Sequence, residues 1–470
     1  MPLDLSRFAL ERQHSIPLAR QLYVQCHRQI MRGVLLYGER LPSSRQLAQQ
    51  LQISRGVVVE CYEMLRLDGL VAGFGKGGTQ VCYQHSAPDR QRKQALHLSL
   101  SKRGQTLADA RDYDKAERVL ALTPSVPDQR LFPHKQWLSL ARAAWQQAPT
   151  WYQRTGGVPL LKQSLQRYLA QYRGIEVSDT QCLLITTGTQ AALSVLAHLL
   201  ADTGETALVE QPGWAGSAAA MQQAGLRVQT APLDAAGACL PAGATPRLAV
   251  LTPGVQFPSG GVMSMARRQA WLDYSAAHGL WLIEDDYAAE YSYQQHPAPS
   301  LLAHASQAAV IHVGTLSKLL LPGLRLGWMV VPRHLAAAVC AALNTLGLQP
   351  PYALQQQLAL FMQYGYLNSH LATTRAIYNQ RRQQCSTYLQ QKGADCVQVM
   401  PSASGMNHYL RLRERVTLAD LSKRLRAVGL GCELYSANEV RHYLLFGHAA
   451  LPEAELEPRL AQLLAVLRAV

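Results

Sequence analysis

Between about Val119 and Val470, apolar runs of strand length recur between stretches of helix length. The runs are LLITTG, TALVEQPG, RLAVLTPG, GLWLIEDDY, AAVIHVGTLSK and LGWMVVP, and helical segments such as Gln190–Leu200 and Met265–His278 separate many of them. A strand that is apolar without alternation needs cover on both faces, and a helix between strands returns the chain for parallel pairing. The pattern predicts an α/β domain with a mostly parallel sheet. With 470 residues, 48% of them hydrophobic, the chain has room for that domain and at least one more.

The first quarter is built differently. Leu18, Leu22, Cys26 and Ile30 recur every four residues as one apolar stripe of a helix. A turn over Gly33–Leu41 leads to LPSSRQLAQQL, where Ser43 or Ser44 can cap a short helix with Leu47 and Leu51 on its core side. Ser54 can cap a third helix, RGVVVECYEMLRLDG, with Val58, Cys61, Tyr62 and Leu65 inward and Gly69 as its stop. Leu70–Gly73 and Thr79–Tyr83 read as short extended pieces flanking the turn GFGKGG. Residues 84–118 are polar, charged and poor in large apolar side chains, the composition of an exposed linker. The predicted domains are therefore 1–83 and 119–470, joined by 84–118.

Charge supports that division. The net charge is +14, and residues 1–118 hold 18 Lys and Arg against 11 Asp and Glu, a density about threefold higher than in the rest. A basic head suits a polyanion. No apolar run reaches the ~18 residues that would cross a bilayer, and the first residues lack the apolar core of a secretion signal. Nine cysteines are scattered, and no pair has metal-ligand spacing. These features predict a cytoplasmic protein with reduced thiols and no metal site.

Helix, tight turn, helix is the shape in which a second helix presents its N-terminal side chains to the major groove of DNA. Here that end carries Ser54, Arg55 and Val57, with Ser44 and Arg45 opening the helix before it. An arginine can grip a guanine edge or a phosphate with two hydrogen bonds. Lys76 and Gly77, in the glycine-rich turn, can approach a backbone or minor groove closely. Spacing alone leaves open a three-helix unit that binds another protein.

The densest chemical signal is GTLSKLLLPGLRLGWMV. Lys318, just after a strand, can form an imine with an aldehyde cofactor, and Thr315, Ser317 and Arg325 supply donors for a phosphate dianion beside it. Gly188, Thr189 and Gln190 open a helix after a strand, where backbone N–H groups and the helix dipole favour a phosphate. Asp285 and Tyr287, at the end of GLWLI, can hold a pyridinium nitrogen and a phenolate oxygen, and Trp214 can stack on an aromatic ring. Together these residues describe a site for pyridoxal 5'-phosphate (PLP).

The string from IPLARQLYV through GFGKGGTQV resembles the GntR family of winged helix-turn-helix regulators, most specifically at ERLPSSRQLA. The remainder resembles fold-type I aminotransferases. The whole chain, through LFPHKQWLSLARAAW, TGGVPLLKQSLQRYLAQYRGI, TPGVQFPSGG and EDDYAAEY, resembles the MocR/GabR-type subfamily of GntR regulators. The resemblance implies a large PLP-binding domain with a smaller C-terminal α+β part. It makes Lys318 the imine-forming lysine, pairs Asp285 with the pyridine nitrogen and Tyr287 with the ring hydroxyl, and gives the phosphate to Thr189, Gln190, Thr315 and Arg325. It also implies a homodimer on operator DNA with paired half-sites. The expected function is a regulator, not an enzyme, that senses PLP itself or an amine or amino-acid effector. A working aminotransferase with a DNA-binding appendage is the alternative.

The chain departs from its relatives at several points. Gly56-Val57-Val58 stands where a threonine is common, and the wing reads GKGGTQV. Val255 replaces a usual histidine and Trp214 a commoner tyrosine. Gly216 stands where some relatives carry an arginine for an effector carboxylate, and HYLLFGHAAL holds no arginine, only Arg441 just before it. A carboxylate on the effector would have to be held differently.

Overall fold

The computed structural model describes residues 8–73, 78–84, 100–101, 104–105, 108, 119–149, 151, 156–243, 245–293, 299–402, 404–413, 417–436 and 441–469. The chain divides into two compact units, 1–99 and 100–470. Lys76, Gly77 and most of 84–118 lie outside the described residues.

The first unit holds α1 (Leu18–Met31), α2 (Ser44–Leu51), α3 (Arg55–Leu67) and a two-stranded ribbon, β1 (Val71–Gly73) and β2 (Thr79–Val81). The ribbon is antiparallel, with Val71 opposite Val81. Ser43 rather than Ser44 caps α2: its hydroxyl accepts from the Gln46 N–H, and the Gln46 side chain accepts from the Ser43 N–H at 3.1 Å. That reciprocal box satisfies two donors that a helix start otherwise leaves unpaired. Ser54 caps α3 by accepting from Val57. Leu22, Cys26, Ile30, Leu47, Val58, Cys61, Tyr62 and Leu65 are buried together, whereas Leu18 and Leu51 are half-buried.

The second unit is built on an eight-stranded sheet: β3 (Gln181–Thr186), β4 (Thr206–Gln211), β5 (Arg227–Asp234), β6 (Gly237–Ala238), β7 (Leu248–Leu251), β8 (Trp281–Asp286), β9 (Val310–Thr315) and β10 (Gly327–Pro332). Their order is β3-β10-β9-β8-β7-β4-β5-β6, and only β10 and β6 run against the others. All six strands expected from apolar runs are present. The two missed, β5 and β6, lie at one edge, where β5 leaves five of its eight residues exposed and so carries no continuous apolar run.

Successive side chains feed two cores. Leu183, Ile185, Leu282 and Trp328 pack on one face, Leu184, Ile283, Ile311 and Met329 on the other. The smaller C-terminal part is an antiparallel sheet, β11 (Val397–Val399), β12 (Asn407–Leu412), β14 (His442–Gly447) and β13 (Glu433–Ser436), in that spatial order. Leu410, Leu444 and Phe446 bury one of its faces in a third core with the helix Glu453–Arg468. Among the described residues no helix is long and apolar enough to cross a membrane.

Candidate functional site

Parallel strands deliver side chains from their C-terminal ends into one crevice, and the site forms there. β8 supplies three consecutive acids whose faces alternate. Leu282 belongs to one core and Ile283 to the other, so Glu284 and Asp286 follow Leu282 while Asp285 follows Ile283. The first pair is fully engaged. Asp286 pairs with the buried Arg173, and Glu284 accepts from Ser300, from the Leu301 N–H at 2.8 Å and lies 3.3 Å from His312 Nδ1. Burial works against the Glu284 charge, but His312 and Arg173 overcome it and hold the carboxyl at about 2.

Asp285 is the opposite case. It is buried and its Oδ1 has no hydrogen-bond partner. Burial first, then the charges of Asp286 and Glu210, push its carboxyl up to about 8, with Lys318 opposing. A buried acceptor left unpaired costs roughly 1–3 kcal/mol, which makes Asp285 a candidate to accept from a ligand donor. Glu210, at the end of β4, is also buried and sits at about 7, although Thr252 donates to it.

Lys318 follows β9 by three residues, and its Nζ donates to the Ser125 carbonyl at 3.1 Å. Burial pulls its amine below the ordinary lysine value, while Glu433 and Asp285 act the other way. Ser125 is itself fixed from the far end of the chain: its N–H donates to Asn407 Oδ1 at 2.7 Å, and Asn407 Nδ2 donates to its hydroxyl. Sequence reading did not find Ser125, Asn407, Glu210 or Glu433, because each acts through a contact remote in sequence.

The phosphate candidates converge through β10. Gly327 pairs with Thr186 on one side and Thr315 on the other. A Cβ at Gly327 would stand 2.7 Å from the Gly314 carbonyl and 2.9 Å from Gly188 Cα, so only glycine permits this approach. Gly188, at φ +105°, opens the helix Thr189–Leu200 at that point. Thr315 Oγ1 donates to Ser317 Oγ at 3.1 Å and accepts from the Ser317 N–H. Arg325 is exposed, in the left-handed region at φ +50°. Thr189 and Gln190 are half-buried. Trp214 and Tyr287 are half-buried in one aromatic cluster with Phe257, whose ring lies 6.1 Å from that of Tyr287. Burial and the Asp285 charge raise the Tyr287 phenol above its ordinary value. Gly216 has a physical explanation: a Cβ there would stand 2.3 Å from the Trp214 indole, so any side chain would have to displace this tryptophan.

In the head, Arg45, Ser54 and Arg55 are exposed and Ser44 is half-buried. Arg55 Nε donates to Ser44 Oγ at 3.3 Å, which ties the starts of α2 and α3 into one face. Ser54 Oγ accepts from Val57 and keeps its own hydrogen to donate outward. Val57 is half-buried, its N–H spent on that cap.

The model of aminotransferase class I and II matches residues 119–445, and the model of bacterial regulatory proteins of the gntR family matches 18–81. The chain is 32% identical to the probable rhizopine catabolism regulatory protein MocR of Rhizobium meliloti, over 84% of this chain and 82% of that one. It is 30% identical to the HTH-type transcriptional regulator TauR of Rhodobacter capsulatus, over 93% and 94%. Among solved structures, kynurenine aminotransferase of Pyrococcus horikoshii superposes with TM-score 0.67 at 21% identity, covering 80% of this chain and 96% of that one. LysN of Thermus thermophilus, an alpha-aminoadipate aminotransferase solved with N-(5'-phosphopyridoxyl)-L-leucine, gives 0.66 at 23%, covering 78% and 95%. The chain belongs to the MocR-type branch of the GntR family of transcriptional regulators, in which a helix-turn-helix head is joined to an aminotransferase class I and II domain.

Proposed function

We propose that this protein is a DNA-binding regulator whose large unit holds PLP and uses that site to sense PLP itself or an amine-bearing effector. The observation that carries the reading is the joining, in one chain, of an arginine-bearing helix-turn-helix face with a crevice that holds a half-buried lysine and a buried acid whose Oδ1 has no partner. The residues present fit the cofactor: a glycine-lined helix start and hydroxyls for a phosphate, aromatic rings for a ring face, and Asp285 for a ring nitrogen.

Bound there, PLP would supply a reactive aldehyde and an electron-accepting ring. Lys318 is the residue that would take the aldehyde, and burial keeps its amine from holding a proton as tightly as a surface lysine does. Asp285 retains its proton near neutral pH in the cofactor-free fold and would share it through Oδ1 with a basic nitrogen placed opposite. Gly188, Thr189, Gln190, Thr315, Ser317 and Arg325 would bind the phosphate, Tyr287 the ring hydroxyl, and Trp214 would cover the ring. Ser44, Arg45, Ser54, Arg55 and Val57 form the proposed DNA face, to which the sequence alone adds Lys76 and Gly77. The domain limits proposed are 1–83 and 119–470 around a linker at 84–118. A homodimer would bring two heads to paired half-sites and raise their effective concentration on DNA.

The test is reduction with borohydride after incubation with PLP, followed by peptide mapping. A covalent adduct on Lys318 is expected; its absence would overturn the reading. Turnover of amino acids with 2-oxo acids, measured on the same sample, would favour a working aminotransferase instead.

A further inference from the structure

Among the described residues, the face that the small sheet turns toward Lys318 carries an acid and no buried base. Register sets Tyr409 of β12 opposite Leu445 of β14, and Leu445 opposite Glu433 of β13; two residues along, Tyr443 stands opposite Tyr435. Because side chains alternate, Leu410, Leu444 and Phe446 go to the core behind, while Tyr409, Leu445, Tyr443 and Tyr435 join Phe257, Tyr287 and Trp214. Glu433, two residues from Tyr435 and level with Leu445, falls on that same face.

The surroundings of Glu433 are those of a cation site. Tyr435 donates its hydroxyl to Glu433 Oε2 at 2.5 Å. The Tyr435 ring lies 6.2 Å from Phe257 and 6.4 Å from Tyr409, which stacks on Tyr443 at 4.7 Å. Among the described residues no lysine or arginine forms an ion pair with the half-buried Glu433; its carboxylate accepts from a neutral phenol and acts on Lys318 from further off. On this face Arg411 stands opposite Tyr443 in the register but is exposed, as is Arg441. Gly216, pressed against Trp214, brings no cationic side chain to the opposite wall. A carboxylate amid electron-rich ring faces attracts an ammonium and repels another carboxylate.

We propose that the effector is a diamine: one amine is presented to the cofactor site at Lys318, and the second, still protonated, is held by Glu433 within the tyrosine and phenylalanine faces. This rests on the reading of the Lys318 crevice as the effector site.

The experiment is calorimetric titration of full-length, PLP-loaded protein with diaminoalkanes of three to five carbons and with ω-amino acids of matched length. PLP content is measured in each sample, so affinity is read per loaded site. A diamine should bind at least roughly tenfold more tightly than its matched amino acid, and Glu433→Gln should weaken the diamine roughly tenfold or more, the range of a charge-assisted hydrogen bond. Tyr435→Phe, which removes only the hydroxyl that orients Glu433, should weaken it by less and serves if Glu433→Gln fails to fold. Equal or tighter binding of the amino acids, no diamine binding, or undiminished diamine affinity in the folded variants would overturn the diamine assignment alone. Failure of the wild type to take up PLP at all would overturn both this assignment and the cofactor reading beneath it.

Discussion

Replacing Asp285 by asparagine should make the cofactor-free fold more stable and the cofactor-binding fold worse. The carboxyl stays protonated up to about 8 when folded, against an ordinary value of 3.8. Between those two values the folded state binds a proton that the unfolded state has released, so stability falls as pH rises, by about 4 kcal/mol at pH 7. Asparagine is neutral and of the same shape, so it removes that loss. It also buries amide N–H donors beside an Oδ1 that already lacks a partner, which costs roughly 1–3 kcal/mol. The net expectation is a gain of about 1–3 kcal/mol at neutral pH. The gain should vanish or reverse near pH 4 and level off above about pH 8. Urea unfolding of cofactor-free wild type and Asp285→Asn, followed by circular dichroism across that pH range, reads it directly. PLP uptake by the variant should fall, because a basic ring nitrogen would lose its counter-charge. A variant less stable at every pH, or a gap that does not grow with pH, would refute the assignment of Asp285 as a buried acid waiting for a ligand.

Arg45→Ala with Arg55→Ala should leave the head folded, since both side chains are exposed, and should cost roughly 1–3 kcal/mol of specific DNA binding for each arginine that reads a base edge, measured by fluorescence anisotropy. Gly216→Ala should displace the Trp214 indole, alter tryptophan fluorescence and weaken PLP uptake, at a cost of roughly 1–3 kcal/mol of overpacking. Arg173→Met should destabilise the large unit by roughly 3–5 kcal/mol in denaturant titration, because Asp286 would remain buried without its counter-charge.

What could be read along the chain was whatever is written locally. The apolar stripes, the serine caps of α2 and α3, and six of the eight strands of the large sheet are each carried by fewer than about a dozen consecutive residues. Strand β5, next to the edge, escaped because its exposed residues break the apolar run that marks a strand covered on both sides. The places of Lys318, Asp285 and Gly188 were legible because strand ends and a helix start announce themselves in sequence. Their neighbours were not. Lys318 donates to a carbonyl 193 residues away, and Ser125 is fixed by Asn407 282 residues away, contacts that only the closed sheet and the C-terminal part create. Gly216 read as a missing arginine, whereas any side chain there would have to displace the indole of Trp214.

Coupling between the cofactor site and the DNA face is tested most directly by measuring DNA affinity with and without occupancy of that site. A ligand can change DNA affinity only by binding two arrangements of the protein unequally. Duplex DNA selected by the full-length protein from a random library serves as the probe, with wild type and Lys318→Ala each titrated in the absence of PLP, with PLP, and with PLP plus 1,4-diaminobutane. Wild type should change its DNA affinity by roughly 5- to 150-fold, the usual span of 1–3 kcal/mol of coupling, while Lys318→Ala should still bind DNA and give one affinity under all three conditions. An identical ligand response in Lys318→Ala, or a wild type indifferent to PLP and diamine alike, would contradict control of the head through this lysine.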